Sequence, residues 1–134
     1  MCVRGASALD RVLAEFPEAP LAVLVVWEPL LPTDFGPPLT SVLGLVQDRR
    51  AIQFWDADLS LSADILRSVN ADPGRYGFDE RLPDDFVVWD VVAVFGRSVR
   101  WERDLPVPKF YDGPVERAID ATRQALAAEL AHGF

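Results

Sequence analysis

Two rhythms of hydrophobic and polar residues run along the chain. Leu9, Val12, Leu13 and Phe16 recur at helical spacing, with Ser7 placed to cap and Asp10 three residues after it, which predicts an amphipathic helix over 8–16. Pro17 and Pro20 end it. LAVLVVW (21–27) is apolar on both faces, the mark of a buried parallel strand. Its exit, VVWEPLLPTDFGPP (25–38), holds four prolines and predicts a stiff extended loop. Thr40 or Ser41 caps a short helix reaching Leu45 and Val46, and AIQFW (51–55) is a second strand. Asp58 or Ser60 caps a helix near 60–69 with Leu61, Ile65 and Val69 on one face.

Residues 70–85 carry prolines, glycines and acids and predict a loop. FVVWDVVAVF (86–95) is the strongest strand signal; Gly96-Arg97 turns it and SVRWE (98–102) returns, predicting an antiparallel hairpin. Pro114 opens the last helix, lined by Val115, Ala118, Ile119, Thr122, Leu126 and Leu130. The order predicts one α/β domain over 1–134, with a mixed sheet closed by a β-hairpin and a C-terminal helix.

Composition narrows the function. Half the residues are hydrophobic and 25% charged, which suits a globular chain rather than a disordered one. The apolar runs are far shorter than a bilayer span, and no secretory signal opens the sequence. Thirteen basic against 21 acidic residues give a net charge of −8, which argues against nucleic acid and anionic membrane as partners. Cys2 and His132 are the single cysteine and histidine. An internal disulfide and a Cys/His zinc site are thereby excluded, and cytoplasmic location is the expectation. There is no phosphate-binding or dinucleotide-binding glycine motif, so no cofactor is expected.

The strings WEPLLPTD (27–34), QFWD (53–56), VVWDVVAVF (87–95) and DGPV (112–115) together resemble a group of uncharacterised bacterial thioredoxin-like proteins. The resemblance covers about residues 8–130 and implies a thioredoxin-like fold of the thiol-redox class. Two departures stand out. That fold opens on a central strand followed by Cys-x-x-Cys at a helix start, whereas here Cys2 is followed by Gly5 at the second cysteine place, with no strand before it. Nor does a proline stand just before the hairpin, where Trp89-Asp90 lies. Disulfide exchange needs an attacking and a resolving thiol, so the resemblance implies a degenerate form with Cys2 as a lone nucleophile. A kernel without its middle strand leaves two ladder edges facing a gap. Three outcomes meet that problem: a start further upstream, AIQFW in the central place, or a second protomer covering the edge as a homodimer.

Each of the four tryptophans precedes an acid: Trp27-Glu28, Trp55-Asp56, Trp89-Asp90 and Trp101-Glu102. With Asp34 in the proline loop, they form the candidate binding set. If the strands run as predicted, all four pairs gather at the carboxyl end of the sheet, where open α/β sheets bind ligands. The plain alternative is that the tryptophans lid the core and the acids cap helices or pair with arginines. The functional alternatives are a thiol partner at Cys2, a protein-binding module using the tryptophan-and-carboxylate rim, or a carboxylate-based metal or hydrolase site.

Overall fold

The computed structural model describes residues 3–132. Helix α1 (Val3–Glu15) begins earlier than the sequence pattern suggests, so Ser7 lies inside it rather than capping it. Strand β1 (Val23–Trp27) follows, then a single turn of helix α2 (Thr40–Leu43), strand β2 (Ala51–Trp55) and helix α3 (Ser60–Ala71). Strands β3 (Val92–Val94) and β4 (Phe110–Asp112) precede the long helix α4 (Val115–Ala131). A 3-10 turn at Pro73–Tyr76 interrupts the predicted 70–85 loop.

The strands form two separate pairs, not one mixed sheet. β1 and β2 run parallel, in register from Val23 opposite Ala51 to Trp27 opposite Trp55. β3 and β4 run antiparallel, with Val92 opposite Asp112 and Val94 opposite Phe110. The expected hairpin is therefore corrected: residues 98–102 form no strand, and the return strand is β4, after a long connection with Ser98 at φ 58°. The expected ten-residue strand 86–95 shrinks to three residues. Asp90, at φ 52°, breaks the extended run, and the β-branched residues before it have no partner strand. β-propensity reflects pairing and packing more than the backbone itself, so an apolar run without a ladder does not become a strand.

Burial falls into three clusters. Ala6 of α1 packs with Trp27 and Val46 under the β1–β2 pair. Val12 of α1 packs with Val94 and Leu126 under the β3–β4 pair. Val69, Tyr76 and Leu105 form a third, beneath the 70–85 segment. α1 thus touches both strand pairs on one side and packs along α4. The opposite face of β1–β2 stays open: Leu24 is 65% exposed, and Ile52 and Phe54, opposite Leu24 and Val26, are 57% and 48% exposed.

α1 is fastened to the entry of β2 by polar contacts. The Asp10 carboxylate accepts from the backbone N–H groups of Gln47 and Asp48 at 2.7 and 3.1 Å. The Arg50 guanidinium donates to the carbonyls of Leu13, Phe16 and Ala19 at 3.0, 2.6 and 2.9 Å, and so satisfies acceptors at the end of α1. The same group bonds Asp48, which holds that carboxyl down at about 2.

Arg50→Ala is expected to lower stability by about 2 kcal/mol in chemical denaturation, because it strips these half-buried carbonyls and Asp48 of their donor. Arg50→Lys should not restore it, since an ammonium cannot reproduce the planar fork. In the parent the Asp48 contribution is present above the ordinary carboxylate pKa and is lost as pH falls toward 2. The Ala variant should lack that acid-range slope.

Candidate functional site

The four tryptophans divide into two kinds. Trp27 is 7% exposed, and its indole N–H donates to Gln53 Oε1 at 3.0 Å, while Gln53 Nε2 donates to the Leu43 carbonyl. Trp55 packs in the same cluster. These two are core. Trp89 and Trp101 are 64% and 39% exposed, and both stand beside an open groove.

The acids divide as well. Glu28, at the carboxyl end of β1, accepts from the backbone N–H of Ser62 at 3.1 Å and from its hydroxyl at 2.7 Å. Ser62 is buried, and its Oγ accepts in turn from the Val88 N–H at 3.0 Å. Asp56, at the end of β2, accepts from the Leu61 N–H at 2.7 Å and so caps α3. Glu28 and Asp56 stand close enough there for each to shift the other's ionisation. Asp90 accepts from the Val115 N–H at 3.2 Å, at the first residue of α4. Gly113 packs so closely there that a Cβ would stand 2.4 Å from the Asp90 carbonyl oxygen, a place only glycine fills. Glu28, Asp56 and Asp90 therefore share one end of the molecule, tied together through α3 and the entry to β3.

Two predicted site residues lie elsewhere. Glu102 is exposed in the β3–β4 connection; its expected place at the rim depended on a strand over 98–102 that does not form. Asp34 turns back on its own loop, accepting from the N–H groups of Leu30 and Leu31 at 3.0 and 2.9 Å. Those bonds hold its carboxyl below the ordinary value. It braces the proline-rich exit of β1 rather than joining Glu28. Cys2 lies outside the described residues. Among the described residues no three His, Cys, Asp or Glu side chains are placed to hold a metal ion.

Glu28 and Asp56 behave as a pair. Burial raises the Glu28 carboxyl; the Ser62 bonds oppose this without cancelling it, and Asp56 adds to the rise. Burial also acts upward on Asp56, but the N–H groups of Leu61 and Ser60 and the nearby Glu28 carboxyl outweigh it and leave Asp56 below its ordinary value. Glu28 is therefore the weaker acid of the two, and Asp56 the stronger, at the start of α3 where the helix dipole favours negative charge.

The groove beside this rim has a volume of about 710 Å³. Every residue of β1 and of β3 lines it, and none of β2 or β4 does. It therefore runs between the two strand edges that face away from their own partners. Gly5, Ala6, Leu9 and Leu13 of α1, with Thr122 and Leu126 of α4, lie along it. AIQFW, as β2, pairs on the far side of β1 and does not take the central place.

Ser62 was not visible as a site residue in the sequence. The signal was present: a serine three and seven positions before Ile65 and Val69, on the apolar face of α3.

No family model, curated protein or solved structure matches this chain.

Glu28→Gln is expected to remove a pH dependence. A carboxyl raised in the folded state contributes stability below its ordinary pKa and loses it as pH rises through the folded one. The parent should therefore lose stability on that rising limb above about pH 4.3. Thermal unfolding of the Gln variant should be flat across the same window, with the acid-side loss from Asp56 retained.

Proposed function

We propose that the chain is a thioredoxin-like binding domain whose ligand seats in the groove between β1 and β3. The carrying observation is the lining of that groove: two complete strands contribute, each through the edge its own partner leaves open. In the thioredoxin-like order a strand stands between these two. That correspondence, with the succession of elements from α1 to α4, supports the family resemblance drawn from the WEPLLPTD and WDVVAV strings.

The rim adds what a binding site needs. Trp89 and Trp101 offer exposed aromatic surface at the groove, and Glu28 and Asp90 offer carboxylates held by backbone donors. Thiol exchange draws no comparable support, because one cysteine supplies no resolving thiol.

Nile red, a neutral probe of apolar grooves, should bind saturably, with blue-shifted emission and quenching of tryptophan fluorescence. Leu9→Trp, which thrusts an indole into the groove from α1, should weaken that binding by about tenfold. Unaltered dye binding in that variant would contradict the reading. So would an insulin-reducing activity lost in Cys2→Ser, which would return the chain to the thiol-redox class.

A further inference from the structure

We propose that the groove is a strand-acceptor site: its ligand is an extended segment of another polypeptide, apolar in its centre and basic at its flanks, which adds to the β1 edge and joins the two strand pairs. This rests on the groove being the binding site and names the ligand class.

The hydrogen-bonding pattern of β1 points to a backbone rather than a small molecule. The Val23 N–H donates to the Arg50 carbonyl, and the Trp27 carbonyl accepts from the Asp56 N–H. Main-chain groups alternate in direction along a strand, so Val23, Val25 and Trp27 serve β2. The N–H and C=O groups of Leu24 and Val26 consequently face the groove. Across from them stands β3, whose other edge is taken by β4. An extended chain with a donor and an acceptor every second residue satisfies such an edge, as in β-strand addition.

Length and direction also agree. β1 offers five residues, about 17 Å of edge. Its carboxyl end is linked through Glu28 and Ser62 to Val88, just before β3, so β1 and β3 run in opposite directions. An inserted strand lies parallel to one wall and antiparallel to the other.

Charge separates a foreign strand from a second copy of this chain. Glu28, Asp90 and Glu129 line the groove, with Arg97 as the cation among them. The chain itself carries −8, so two copies repel, while a segment with basic flanks is attracted.

A random nonapeptide library displayed on phage, selected on the whole chain, tests this. The enriched sequences are expected to alternate apolar residues without internal proline and to carry Lys or Arg at their ends. A synthetic peptide from the winners should slow amide exchange at Leu24 and Val26. N-methylation of its alternate amides should weaken binding by at least about tenfold, as should Leu24→Pro, which removes one groove-facing N–H and leaves the β1–β2 ladder intact. If Leu24→Pro fails to fold, the N-methylated peptides decide alone. Failure to enrich any peptide overturns the proposal, as does binding indifferent to N-methylation. A concentration-dependent dimer that protects the same two amides without peptide overturns it in favour of a second copy. If Nile red still binds in any of these cases, the groove stands as a binding site and only the strand reading falls. If nothing binds, both fall.

Discussion

A β-strand carries hydrogen-bonding groups along two edges, and β1 has a ladder on only one of them. That single constraint shapes the rest of the molecule. An edge of Leu24 and Val26 main-chain groups facing an apolar groove needs water or a partner. The structure meets the demand partly by keeping the groove open. It cannot then gather its apolar residues into one core, and burial splits into a cluster beneath each strand pair and a third beneath the 70–85 segment. The helices bridge what the strands do not: α1 lends Ala6 to one cluster and Val12 to another, and Arg50 and Asp10 lock α1 to the start of β2.

The carboxyl end of β1 carries the second bridge. Glu28, Ser62 and Val88 form a short chain of donors and acceptors linking β1, α3 and the approach to β3. Its members polarise one another, so its geometry is set jointly rather than pair by pair. Burial raises the Glu28 carboxyl while backbone donors hold Asp56 below its ordinary value, so on acidification the bridge through Glu28 is protonated before the Asp56 cap on α3.

Much of this was legible in the residues. The doubly apolar 21–27 run and AIQFW became β1 and β2 because they pair with one another, in parallel, across a crossover that carries α2. The prolines and Asp34 of the exit loop do what stiff loop residues do, bracing their own backbone. Pattern failed where partners decide. FVVWDVVAVF reads as ten residues of strand but finds a ladder for three, and the residues before Asp90 stay extended without one. FYD, too short and too close to Pro106 and Pro108 to show periodicity, became β4 instead of SVRWE. Of the tryptophan-acid doublets, Glu28, Asp56 and Asp90 share one end and Trp101 reaches the groove, but Glu102 does not join them, because its place relied on the wrong return strand. Two ladder edges facing a gap were an expectation of the family resemblance; that β1 and β3 would both line one groove in full was not visible in the residues.

Amide hydrogen exchange along β1 in the chain alone tests the central claim most directly. The account predicts protected amides at Val25 and Trp27, which face β2, and fast exchange at Leu24 and Val26, which face the groove. Uniform protection across all four would mean that the second edge of β1 is already paired, and would contradict the account.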